Sequence, residues 1–200
     1  MKQSKFLWFV VSIMFMVVPA AAQDDYPKAE LFGGYSYINL DAGGFSDRGH
    51  AHGWGASLSG NFSKHIGVTA DFAGQYRNLM IPSFPPVFTG GSVNFSTYEF
   101  LFGPRVTARS ERVTGFAHAL FGAAHGRLSG FSGLPAPVPR GLGRLSDTRF
   151  AMGFGGGVDV NAGKSIALRV IQVDYLPVRV DSEWAHNVRI QAGIVFRFGL

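Results

Sequence analysis

From residue 29 onward, apolar and polar residues trade places with a period of two. In AELFGGYSYI (29–38), Leu31, Tyr35 and Tyr37 share one phase and Glu30, Gly34 and Ser36 the other, with Phe32 standing among the polar set. In GWGASLSGNF (53–62), Trp54, Ala56, Leu58 and Phe62 oppose Ser57, Ser59 and Asn61. Successive side chains of a strand point to opposite faces, so this period predicts two strands. GVTADFAGQYR (67–77) opposes Val68, Ala70, Phe72 and Tyr76 to Thr69, Asp71, Gln75 and Arg77. STYEFLFGPRVT (96–107) opposes Tyr98, Phe100, Phe102 and Val106 to Thr97, Glu99, Arg105 and Thr107.

A fifth strand, near 114–125, has small residues on both sides and no clear phase. The sixth (149–161) sets Phe150, Met152, Phe154, Val158 and Val160 against Arg149, glycines, Asp159 and Asn161. The seventh (165–175) breaks register, because Arg169 lies in one phase and Gln172 and Asp174 in the other. A β-bulge near Val170 or Ile171 would put all three on the polar side. The eighth (186–200) carries Val188, Ile190, Ala192, Ile194, Phe196 and Phe198 opposite Asn187, Arg189, Gln191, Gly193 and Arg197.

Connections alternate too. Tight polar turns are expected at 63–65, 108–112 and 162–164, and long loops at 39–49, 78–93, 126–146 and 176–185. The stretches from Trp54 and from Phe154 share Gly55/Gly155, Asn61/Asn161, Lys64/Lys164 and Ile66/Ile166, so both read as the same hairpin in the same orientation.

The N-terminus narrows the compartment. Lys2 and Lys5 precede an apolar run at 6–18, and Ala20 and Ala22 occupy the small positions of a cleavage site, so residues 1–22 are expected to be a secretory signal peptide and 23–200 the mature domain. Without the two leader lysines, 16 basic side chains face 13 acidic ones, a net charge of +3 that is no signature of nucleic-acid binding. There is no cysteine, hence neither disulfides nor thiolate ligands, and 27 glycines with 14% aromatics suit curved, closely packed strands.

Two environments fit eight such ribbons: a bilayer around a polar lumen, or the core of a soluble periplasmic barrel or sandwich. In lipid every backbone amide must be paired, so strands can cross only as a closed barrel, and tilted strands of about 9 to 11 residues are long enough. Tyr35, Tyr37, Trp54, Tyr76, Tyr98, Phe196 and Phe198 fall toward strand ends, where interfacial girdles belong. The few lysines in the polar phase also favour a lumen over a solvated face. The expected fold is all-β, an eight-stranded antiparallel up-and-down transmembrane β-barrel.

The segments ELFGGYSY, FLFGPRV, GGGVDV and GIVFRFG, in that order, resemble the OmpA-like family of small eight-stranded outer-membrane β-barrels over nearly the whole of 23–200. The resemblance implies the outer membrane of a Gram-negative bacterium, contact with outer-membrane lipid and lipopolysaccharide, and insertion by the barrel-assembly machinery. A terminal aromatic often belongs to that family's insertion signal, whereas here Phe198 is followed by Gly199 and Leu200. The peptidoglycan-binding domain of some relatives is not expected.

An eight-stranded barrel is just wide enough inside for side chains to fill it. Asp71, Glu99, Arg105, Asp159, Arg169 and Arg189 are the expected inward charges. They read as a mutually neutralising network, since an isolated charge in a narrow lumen is costly, with a gated ion path along it as the alternative. His50, His52 and His186 are expected near the long-loop rim in the outward phase, against headgroups. A zinc site would instead need converging ligands. Arg127, Arg140 and Arg144 in the 126–146 loop suit recognition of an acidic ligand or anionic lipid, or are simply solvated.

The apolar 80–88 segment suits an unknown extracellular partner or a fold over the mouth. A lipid-A-modifying hydrolase would need a nucleophile such as Ser57 or Ser59, a nearby histidine and an orienting group. No spacing displays that set, so no catalytic, metal or cofactor residue is assigned. The expected role is structural or interactive, with a narrow channel or a lipid-A-modifying enzyme as alternatives.

Overall fold

The computed structural model describes residues 26–40, 49–81, 90–132, 144–180 and 183–200. Eight strands follow in order: β1 (Ala29–Leu40), β2 (Gly49–Asn61), β3 (Ile66–Ile81), β4 (Gly91–Arg109), β5 (Val113–Ser132), β6 (Arg144–Asn161), β7 (Ile166–Val180) and β8 (Glu183–Phe198). Each pairs antiparallel with the next, and β8 returns to β1, closing the sheet. Tyr35 sits opposite Trp54 of β2 on one side and Ala192 of β8 on the other, so the first strand has no free edge along its paired length. The closing seam is tight: a Cβ on Gly34 would lie 2.2 Å from the Ala192 carbonyl oxygen, and one on Gly193 would lie 2.3 Å from that of Gly33. Only residues without a side chain let the backbones approach this closely.

Alternation becomes two surfaces. One phase is buried inside, and the other exposes Leu31, Phe72, Phe100, Phe121, Phe154, Leu168, Ile190 and Ile194 around the outer wall. Tyr35, Trp54, Tyr76 and Tyr175 are exposed toward one end of that wall, and Phe62, Phe196 and Phe198 toward the other. Such a band of apolar side chains between aromatic girdles matches a bilayer, and no core covers it.

Details of the pattern acquire physical reasons. Phe32, an aromatic in the polar phase of its strand, points inward and is buried with Ala167 and Val195. The irregular seventh strand carries its bulge between Arg169 and Gln172: Val170 and Ile171 are both exposed outside, while Arg169, Gln172 and Asp174 are all buried inside. In β5 the phase resolves through Thr114, Phe116, His118 and Leu120, which are buried. The two echoing hairpins use one turn geometry, since Phe62 and Ser63 N–H both donate to the Ile66 carbonyl at 3.0 and 3.1 Å, and Ala162 and Gly163 donate to that of Ile166 at the same distances.

The opposite end departs from expectation. Strands run further than alternation indicates, because backbone pairing continues where side chains no longer separate lipid from lumen. The expected loop at 176–185 is largely strand, since β7 reaches Val180 and β8 starts at Glu183. Much of 126–146 is strand as well: Arg127 lies in β5 opposite Ser146, and Arg144 opens β6 opposite Ser129, so neither is a loop residue. Arg140 and residues 82–88 of the apolar segment lie outside the described residues.

The ladders also end at different heights. β3 stays paired with β4 as far as Ile81, whereas the β2–β3 ladder ends at His52 opposite Tyr76, and the β6–β7 ladder ends at Ala151 opposite Val178. The wall of β3 to β6 therefore stands above the rest of the barrel.

Candidate functional site

The interior carries the chemistry. In the central cluster Arg189, at the middle of β8, reaches three carboxylates: Asp71 of β3 at 2.8 Å, Glu99 of β4 at 2.8 Å and Asp174 of β7 at 2.7 Å. All four are buried. The Asp71 contact has ion-pair distance but lies off the hydrogen-bonding direction, leaving that oxygen without a directed donor. Asp174 does more than neutralise charge. It also faces His118 Nε2 at 2.9 Å and accepts a hydrogen bond from Gln172 Nε2 at 2.7 Å.

Gln172 leads to the second cluster, near the tight turns. Its Oε1 accepts from Arg169 Nη1 at 2.7 Å, and Arg169 holds Asp159 with Nε at 2.8 Å and Nη2 at 3.2 Å, a two-pronged pair. Arg105 donates to Glu30 at 2.7 Å and to Ser59 at 2.8 Å, while Arg109 and Arg197 approach the other oxygen of Glu30 at 3.4 and 3.2 Å. The Phe116 ring lies against both Arg105 and Arg169, 4.2 and 4.3 Å from the guanidinium carbons, and Arg169 also lies 4.3 Å from the Phe32 ring. These rings separate like charges without adding a polar group that itself needs a partner.

The clusters balance only together. The central one carries Arg189 against Asp71, Glu99 and Asp174, an excess of two negative charges. The turn-side one carries Arg105, Arg109, Arg169 and Arg197 against Glu30 and Asp159, an excess of two positive charges. Five arginines thus face five carboxylates, joined through Gln172.

Toward the opposite mouth, Ile38, Leu101, Leu120, Ala151 and Leu176 pack into an apolar cluster, beside which Glu99 of the central cluster reaches the opening. Near the turns, Asn161 donates to the carbonyls of Ser110 and Glu111 at 3.2 and 3.0 Å and accepts from Arg197 at 2.7 Å, tying the network to the β4–β5 turn.

All six expected inward charges, Asp71, Glu99, Arg105, Asp159, Arg169 and Arg189, sit in this network. Glu30, Arg109, His118, Asp174 and Arg197 belong to it as well, beyond the six charges expected there. For Glu30, Asp174 and Arg197 the signal was present, since each shares its strand's polar phase. Arg109 falls in the expected 108–112 turn, and His118 lies on the strand whose small residues leave the phase unreadable.

His50, His52 and His186 do not converge. They lie on the outer face, where each ring meets a tyrosine hydroxyl through Nδ1: His50 with Tyr37 at 2.6 Å, His52 with Tyr35, and His186 with Tyr175. Among the described residues no group of three histidines or carboxylates is placed to hold a metal ion. Arg127 is half-buried.

A closed eight-stranded antiparallel barrel with an apolar outer band, aromatic girdles and an ion-paired interior defines a bacterial outer-membrane β-barrel. Residues 9–198 match the model of the outer membrane protein beta-barrel domain, and the chain belongs to that family. Among solved structures it is similar to Ail of Yersinia pestis, crystallised in complex with the heparin analogue sucrose octasulfate. The identity is 19%, coverage is 86% of this chain and 99% of that one, and the TM-score is 0.57.

It is also similar to Neisserial surface protein A, at 8% identity, 88% and 100% coverage and a TM-score of 0.62. OprG of Pseudomonas aeruginosa matches at 11% identity, 89% and 99% coverage and a TM-score of 0.53. At these identities the likeness concerns the fold. No curated protein matches.

Proposed function

We propose that this protein is a structural and interaction barrel, not an enzyme or an open pore. Its side chains fill the lumen, and its contacts are made from the raised end. The observation that carries this reading is the stack of two oppositely charged clusters across the lumen, with an apolar cluster packed beside Glu99 toward the mouth. Moving an ion through it would mean squeezing past Leu101, Leu120 and Leu176 while competing with directed ion pairs.

A hydrolase is disfavoured because His118, which faces Asp174, has no hydroxyl partner among the described residues. The wall of β3 to β6, which carries Arg127 and Arg144, is the part that reaches beyond the bilayer, and with Arg140 it would meet anionic surface groups, lipopolysaccharide included. The first 22 residues would direct export, and the barrel-assembly machinery would insert the remainder.

Planar-bilayer recording tests the filled lumen. The expected result is no steady current, and a steady ion-selective current would replace this reading with that of a narrow channel. Mass spectrometry of outer-membrane lipid from cells with and without the protein is expected to show no difference, and a changed acylation pattern would establish an enzyme.

A further inference from the structure

At this mouth, over Ile38 and Glu99, the barrel opens into a cavity of about 770 Å³, within the size range of small-molecule sites. Its wall is mostly greasy: Ile38, Leu40, Phe95, Leu128, Val178 and Val180 border it. Three of its charged neighbours are already committed to each other or to the network. Glu99, at the floor, is held by Arg189, and Asp147 pairs with Arg149 at 2.7 Å.

Two cations remain, Arg77 and Arg127, and among the described residues neither has a carboxylate partner. Arg77 shares the lumen phase of β3 with Asp71 and Gln75. Its guanidinium crosses to β2, where a Cβ added to Gly49 would fall 1.5 Å from Nη1. The absent side chain at Gly49 leaves the space that this guanidinium fills, just past the point where the β2–β3 ladder ends. Arg127 borders the cavity from β5 with a buried Nε that has no acceptor.

We propose that this vestibule binds a medium-chain carboxylate, with the head on Arg77 and the aliphatic tail along the apolar wall. A guanidinium offers a carboxylate two parallel donors, and two cations that lack a carboxylate partner among the described residues favour an anion. The four residue steps from Phe95 to Glu99 span about 13 Å of strand, or roughly 10 Å along the axis of a tilted barrel, which suits one short chain and not a whole lipid. This site goes beyond the interaction role proposed above and does not require it.

Octanoate titrated against the methyl-labelled protein in lipid nanodiscs provides the test. Saturable chemical-shift changes are expected at Leu40, Val178 and Val180, with none from octylammonium. Arg77→Gln is expected to weaken octanoate binding about tenfold or more, as loss of a charge-assisted contact does. Gly49→Val, which keeps the charge but displaces the guanidinium, is expected to weaken it too, and it carries the test if Arg77→Gln does not fold.

Equal responses to the two amphiphiles would overturn the proposal, as would unchanged affinity in a folded variant. So would shifts confined to outward Ile190 and Val173, which would report partition into the bilayer. Heat-modifiable migration of each variant establishes that its barrel is intact.

Discussion

Replacing Arg189 with methionine keeps much of the side-chain volume and removes the one cation that Asp71, Glu99 and Asp174 share. Arg189 is fully buried, and three carboxylates would be left facing one another with His118 and the Gln172 and Gln75 amides among the remaining neighbours. Removing one partner of a buried ion pair costs about 3–5 kcal/mol, because the surviving charge stays desolvated. For a chain of this size each kcal/mol moves the midpoint by about 2–4 °C, so the melting transition should fall by roughly 6–20 °C.

The assay is the temperature at which the fast-migrating folded band in detergent gives way to the slow unfolded one. Arg189→Lys should recover only part of the loss, since a point charge cannot fork toward three acceptors. Pairing Arg189→Met with Glu99→Gln should recover part of it by removing one stranded charge. A midpoint for Arg189→Met within about 2 °C of the parent, in the same detergent, would refute the view that these groups are desolvated and interdependent.

Other outcomes follow from the same geometry. Ile194→Arg on the exposed outer face should cost about 2–4 kcal/mol if it lies near the bilayer midplane, measured by urea unfolding in lipid vesicles; a neutral result would argue against lipid contact there. Asn161→Ala strips donors from two turn carbonyls and an acceptor from Arg197, so a loss of about 1–3 kcal/mol is expected in the same assay.

Gly74→Val should lift the Trp54 indole, whose Nε1 would lie 2.8 Å from the new Cβ, and break its 3.3 Å hydrogen bond to Tyr76. The expected readout is a shifted tryptophan emission with the barrel still folded, and an unchanged spectrum would count against that packing.

Much of this protein is written locally. A period of two is a property of neighbouring residues, so Leu31 against Glu30, or Ile190 against Arg189, announces which side chains share a face before any partner strand is known. The bulge at Val170 and Ile171 was legible for the same reason, as three polar residues had to reach one side. The apolar outer phase together with the amide-pairing requirement then made closure the consistent solution.

Tertiary structure decided what depends on neighbours. Local pattern separates lumen from lipid but is silent once a strand rises above the bilayer, which is why Arg127, Arg144 and the residues up to Val180 became strand instead of loop. It also cannot say which inward charges meet. Glu30 faces Arg105 across 75 positions of sequence, and Arg189 faces Glu99 across 90, distances that only the barrel's register and curvature collapse to hydrogen-bond length. The two faces of the sheet are readable without any tertiary contact, because they follow from the geometry of a single strand. The sharing of Arg189 among three strands, the coupling of two charged clusters through Gln172 and the opening beside Arg77 exist only after closure.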